Sequence, residues 1–314
     1  MSLPAFQYQL PRNFKRLINQ QNQVAKHLIA LREKKKYRTD QQCVLVQGVK
    51  TIKELRDKGI EFKSIGVTAV KSPRVENDIK YPALEVLKYP EHFPAKEYYV
   101  ADIDLARRIL GTASKPGSHE IFAEVPIPTG IDEEELKCKD RLLVFDRISD
   151  PGNLGTLVRT ANALGWDSGL ITSDSCDMYN DKTVRASRAL SLTWKHKQVS
   201  QAKGLSFLKE NGFTPVVADM LPKNPQESDL WSPEFGTDYF NKARRGTGVC
   251  FWNFQNKPKE LPKKIALILS SEHAGVKGLQ DELRVSIPMS SAVESLNVAN
   301  AGAIIMNELN RYIV

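Results

Sequence analysis

Three short polar clusters carry the residues of this chain that could do chemistry. Asn153 and Arg159 follow the run "LLVFDRI". Ser270, Ser271, Glu272 and His273 follow "IALIL". Ser290, Ser291, Glu294, Ser295 and Asn297 follow "VSIPM". An arginine, a glutamate, a serine and an asparagine converging on one pocket suit the orientation of a hydroxyl, or proton transfer from it. Each residue alone has a plainer reading. Asn153 is a natural helix N-cap, Arg159 a surface charge, and Glu272 and Ser295 caps of the helices that follow them. His273 reads as structural. No metal-ligand spacing is present. No G-x-G-x-x-G follows any strand-like run, which disfavours a conventional dinucleotide or open-sheet methyltransferase site.

The elements around these clusters explain why they should meet. "RLLVFDRI" (Arg141 to Ile148) has four apolar residues in a row with turn signals after them, as in a strand buried on both faces of a parallel sheet. "SGLITSDS", "FTPVVAD", "KKIALILSSE" and "VSIPM" read as further strands. "SDPGNLGTLVRTANALG", "DKTVRASRALSL" and the run through "NVANAGAIIMNELNRY" read as helices. Strands alternating with helices make an α/β unit with a mainly parallel sheet. Ligands of such sheets sit at the carboxyl ends of the strands, and all three polar clusters stand there.

A smaller unit precedes it. "CVLVQGV", "FKSIGVTA", "YYVAD" and "EIFAEVPIP" alternate with the helices "KTIKELRDKG" and "IDLARRILG", each stopped by glycine. The boundaries read as a basic N-terminal helix or extension over 1–38, a small α/β domain over 39–128, a polar linker over 129–140 without apolar period, and the larger domain over 141–314. Pro222 to Pro262 reads as a surface insertion.

The chain has 314 residues and a net charge of +8, enough length for two domains and a basic excess that suits a nucleic-acid partner. No acid occurs from Met1 to Arg32, and "REKKKYR" follows. Lys34, Lys35, Lys36 and Arg38 are thus candidate phosphate contacts, with a solvated helix face and a targeting segment as the other readings. No apolar run approaches the roughly 20 residues of a membrane span. Cys43, Cys138, Cys176 and Cys250 form no close pair and read as reduced thiols. The expected compartment is intracellular, a mitochondrion or plastid before the cytoplasm.

Taken together, "DPGNLGTLVRTANALG", "IALILSSEHAGV" and "IPMSSAVESLNVANAGAIIM" resemble, in order, the three motifs of the SpoU (TrmH-like) RNA 2′-O-ribose methyltransferases of the SPOUT superfamily. "KYRTDQQCVLVQGVKTIKEL" resembles, more loosely, the ribosomal-protein L30e-like substrate-binding domain that precedes the catalytic domain in many members; Gln47 stands where the family usually has Glu. The resemblance implies a deep C-terminal trefoil knot, a homodimer, and S-adenosyl-L-methionine as cofactor, with no metal. By position it places the catalytic roles on Asn153, Arg159, Glu272, Ser295 and Asn297, and cofactor contacts at Ser270, Ile287, Met289 and Leu296. It departs at Ser270 and Arg188, where members commonly have Gly; Arg188 would extend an RNA-facing patch with Lys182 and Arg185. The expected reaction is methyl transfer to a guanosine or uridine ribose in rRNA. A tRNA substrate and a catalytically silent ribosome-assembly factor are the alternatives.

Overall fold

Asn22 ends a turn, and its side-chain oxygen accepts the amide of Val24 at 2.8 Å, so the chain enters a helix there. That helix, α1 (Gln23–Glu33), buries Ala25, Leu28 and Leu31 on one face. In the computed structural model, residues 10–69, 79–111, 120–220, 251–252, 254, 262–271, 277–290, 292–293 and 295–312 are described. They form two units: Met1–Pro128 with Tyr179–Leu192, and Thr129–Met178 with Thr193–Val314.

The first unit runs β1 (Phe14–Leu17), α1, α2 (Lys35–Gln41), β2 (Cys43–Gln47), α3 (Val49–Asp57), β3 (Phe62–Ala69), α4 (Ala83–Lys88), β4 (Ala95–Asp102), α5 (Ile103–Leu110) and β5 (Ile121–Pro126). Its sheet has the order β1-β4-β3-β5-β2. β1 and β3 pair with β4 in parallel, and β5 is antiparallel to β2 and β3. Side chains alternate across the sheet. Val44 and Val46 of β2 enter one core, whereas Cys43 and Leu45 join α1 and α5 in another. The basic N-terminal helix or extension expected over 1–38 is not a separate segment: its described part supplies β1, α1 and the start of α2 and is packed into this unit. The helical part of that segment is broken at Lys34, whose backbone is extended.

The second unit runs α6 (Glu133–Lys137), β6 (Arg141–Asp146), α7 (Pro151–Ala163) and β7 (Ser168–Thr172). The chain then contributes α8 (Asp181–Ala186) to the first unit before returning. β8 (Lys195–Val199), α9 (Gln201–Glu210), β9 (Thr214–Ala218), β10 (Phe251–Trp252), β11 (Ile265–Ser270), β12 (Leu283–Val285) and α10 (Val298–Asn310) follow. The sheet order is β10-β12-β9-β11-β6-β7-β8, and every pairing in it is parallel. The expected linker is part of this unit, because Ile131 and Leu136 are buried in its core. The strand expected at "VSIPM" lies earlier, at Leu283–Val285. Ile287 and Met289 therefore lie beyond the sheet, with Pro288 between them unable to donate to a ladder.

Asn310 docks the last helix. Its Nδ2 donates to the Leu164 carbonyl at 2.8 Å, and its Oδ1 accepts from Arg141 at 2.8 Å and Trp166 at 3.0 Å. β6 and β7 approach closely where Leu143 faces Gly169. A Cβ at Gly169 would lie 1.8 Å from the Leu143 carbonyl oxygen, and backbone cannot yield as a side-chain tip does. Gly169→Ala should therefore destabilise the protein by at least about 1–3 kcal/mol, the usual range for overpacking. Urea unfolding measures it, and a change below about 0.5 kcal/mol would contradict the close approach.

Candidate active site

Asp146 ends β6 with its side chain fully buried. Its Oδ2 accepts from Arg147 at 2.8 and 3.0 Å, from Gln201 at 3.0 Å and from the Ser270 hydroxyl at 3.0 Å. Ser270 pairs with Asp146 in register at the end of β11. The serine that stands where members commonly have glycine thus has a structural role here: its hydroxyl supports a buried carboxylate shared by β6, β11 and α9.

Asp150 caps α7, with its Oδ1 accepting the Asn153 amide at 2.7 Å, and Pro151 opens the helix without an N–H to satisfy. This corrects the plainer reading of Asn153 as the cap and leaves its side chain available. Asn153 Oδ1 accepts from Asn297 Nδ2 at 3.0 Å. Asn297 in turn caps α10, accepting the Ala299 amide at 2.8 Å. The two expected asparagines therefore meet where the N-termini of α7 and α10 meet.

A cavity of about 270 Å³ opens at the carboxyl ends of β9 and β11. Ser270, Ile287, Met289, Ser295 and Leu296 line it, five residues expected at the site. The sequence reading missed Asp219 and Met220, which follow β9, and Ala301 and Ile305 of α10. "VVAD" carried the signal, an acid at a strand end like that of "VFD". Asp219 is held by an ion pair to buried Arg284 and accepts the Met220 amide at 2.8 Å.

Arg159 is not in that cavity. It lies six residues past Asn153, about 240° round the helix, is exposed, and makes no hydrogen bond or ion pair among the described residues. Glu272 lies outside the described residues. Among the described residues no cluster of His, Cys, Asp and Glu could hold a metal ion, and no helix is long and apolar enough to cross a membrane.

The basic residues divide. Lys34, Lys35, Lys36 and Lys182 are exposed. Arg38 is buried, and its Nη1 donates to the Leu31 and Arg32 carbonyls at 2.9 and 2.8 Å. It closes the end of α1, which corrects its expected role as a phosphate contact. Arg185 pairs with Asp181 at 2.8 Å and Arg188 with Glu54 at 2.6 Å.

The model of the SpoU rRNA Methylase family matches residues 140–307, more than half of the chain. The chain belongs to this family. Among curated SpoU-type relatives, the 23S rRNA (guanosine(2553)-2′-O)-methyltransferase RlmP of Bacillus subtilis is 32% identical over 56% of this chain and 60% of its own length. The 23S rRNA (guanosine-2′-O-)-methyltransferase RlmB of Neisseria meningitidis is 29% identical over 57% of this chain and 61% of its own length. The chain thus spans about three-fifths of these relatives. The SpoU methyltransferase AviRb of Streptomyces viridochromogenes superposes with a TM-score of 0.66 at 22% identity, covering 93% of this chain and 98% of that one. An AdoMet-bound rRNA methyltransferase of Sinorhizobium meliloti gives 0.68 at 18% identity, covering 96% and 99%. The chain shares the α/β fold of these solved structures.

The Asp146 contacts set an order of stabilities. Asp146→Ala leaves a part-exposed Arg147 guanidinium without its carboxylate and should lower the unfolding free energy by about 3 kcal/mol. Ser270→Ala removes one hydrogen bond, worth about 1 kcal/mol. Urea denaturation of both variants checks the order, and equal losses would contradict a carboxylate-centred network.

Proposed function

We propose that this chain is an S-adenosylmethionine-dependent methyltransferase acting on a ribose 2′-hydroxyl of rRNA. The observation that carries the reading is the cavity at the ends of β9 and β11, lined by four residues named as cofactor contacts from the motifs alone. Its chemistry fits. Leu269, Ile287 and Ile305 offer apolar walls to a base, and Asp219 offers a carboxylate to a ribose hydroxyl or an ammonium group. When bound, S-adenosylmethionine supplies an electrophilic methyl group on sulfur, with a thioether as its leaving group. RlmP and RlmB are named for guanosine, whereas Streptomyces relatives are named for uridine and adenosine. The ribose is what these substrates share, and it is what the proposal assigns.

The guanidinium of Arg159 is a planar fork of N–H donors. Its role is to stabilise negative charge at the 2′-oxygen or to hold the adjacent phosphate, with Asn153, Glu272, Ser295 and Asn297 aligning the reactants. Because it lies outside its own chain's cavity, we propose a homodimer in which a second copy completes the site, with a knotted C-terminal segment forming the interface. Lys34, Lys35, Lys36 and Lys182 contact RNA phosphates.

Arg159→Ala should remove nearly all methyl transfer to rRNA while leaving S-adenosylmethionine affinity within about twofold, since that residue does not line the cavity. Transfer assays with calorimetry test this, and near-normal turnover would overturn the role of Arg159. Replacing Lys34, Lys35 and Lys36 together by Ala should weaken RNA binding and flatten its salt dependence by about 0.7–0.9 in logarithmic slope per lost contact. An unchanged slope would remove these lysines from the RNA interface.

A further inference from the structure

The first unit contains a second cavity, of about 170 Å³, remote in sequence from the motif residues. It is small beside the roughly 300–1,000 Å³ of sites for drug-sized ligands, and its scale suits one flat ring system. Leu45, Leu110 and Val184 supply apolar surface, and Gln47, Asp181, Arg185 and Arg188 supply polar groups.

Three observations mark it as more than a packing gap. Asp181 is a half-buried carboxyl that pairs with Arg185 on one oxygen at 2.8 Å, and burial pushes its pKa up although Arg185, Arg32, Arg38 and Lys182 all pull it down. A desolvated carboxylate is stabilised by every donor it can gain. Next, Arg188 and Ala189 both have left-handed backbones, with φ of 53° and 60°. Two adjacent non-glycine residues in that region store strain, and such strain concentrates at ligand clamps. Finally, the strain is held from both sides: Ala189 is fully buried in the core, and Arg188 pairs with Glu54. Glycine at 188 would relieve the backbone, yet the chain keeps a guanidinium there.

We propose that this cavity binds a single unpaired guanine of the RNA substrate. The proposal rests on the RNA reading given above. Guanine is the base whose pattern matches the wall. Its N1–H and N2–H₂ donate, which suits Asp181, and its O6 and N7 accept, which suits an arginine fork. Gln47 serves either edge as donor or acceptor. Uracil offers no amino group to the carboxylate. The apolar surface takes the ring face, as in other single-strand RNA sites.

The test uses the full chain and short labelled oligouridylates carrying one central guanosine, one inosine, one 7-deazaguanosine or none, with affinity read by fluorescence anisotropy. The guanosine probe should bind about tenfold more tightly than plain oligouridylate, within the range of one good bidentate pair. Inosine, which lacks the 2-amino group, and 7-deazaguanosine, which lacks N7, should each lose a large part of that advantage. Asp181→Asn should bring guanosine and uridine probes within about twofold. The helix cap should survive in that variant because Asn180, not Asp181, accepts the Lys182 amide, and a melting curve checks it. Equal wild-type affinity for all four probes overturns the pocket, whether or not the chain methylates rRNA. So does a guanosine preference that Asp181→Asn leaves intact. A preference lost in Asp181→Asn upholds the pocket even in a chain that transfers no methyl group, and that combination would overturn the methyltransferase reading instead.

Discussion

The buried Asp146 carboxylate is the contact on which the second unit depends. A parallel sheet brings the ends of β6 and β11 side by side, but backbone pairing alone leaves those ends to fray. Asp146 collects the hydroxyl of Ser270, the amide of Gln201 and the guanidinium of Arg147 on one oxygen. Burying a charge is costly, and these donors offset that cost on Oδ2 alone, since Oδ1 is buried without a hydrogen-bond partner among the described residues. Ser270 is thereby fixed at the mouth of the cavity by the strand next to it.

A second constraint acts at the helix ends. Because Asp150 takes the cap of α7, Asn153 turns to Asn297, and Asn297 caps α10 with its other side-chain atom. One chain of hydrogen bonds therefore relates two helices that come from opposite ends of the domain. Asn310 fixes the far end of α10 through Arg141, Trp166 and Leu164. The cavity wall contributed by Ala301 and Ile305 depends on both anchors.

Much of this was legible in the sequence, for physical reasons that differ by element. Continuous apolar runs such as "IALIL" are unambiguous when both faces of a strand are buried, and polar residues directly after them mark the ligand end. Ser270 and Ser295 stand in such polar clusters, whereas Ile287, Met289 and Leu296 came only from the likeness of the motifs; all five lie around one cavity. Asp219 was missed because a single acid after "VVA" looks like an ordinary strand end until Arg284 is seen beside it. Arg38 was misjudged because a basic run does not reveal which member turns inward to close a helix. Ile131 and Leu136 were misjudged because two apolar residues in an acidic stretch give no period, although each is buried. Membership of α8 in the first unit follows from tertiary packing of Val184 and Ala189, which no local pattern encodes.

We propose that the basic first unit contacts RNA and the SpoU-type second unit transfers the methyl group, the two serving one rRNA ribose. The most direct measurement is a map of 2′-O-methyl sites in total RNA from cells with and without the gene. The account predicts loss of methylation at an rRNA nucleotide, restored by the wild-type chain and not by the Arg159→Ala variant. An unchanged rRNA map, or a loss confined to tRNA, would contradict it.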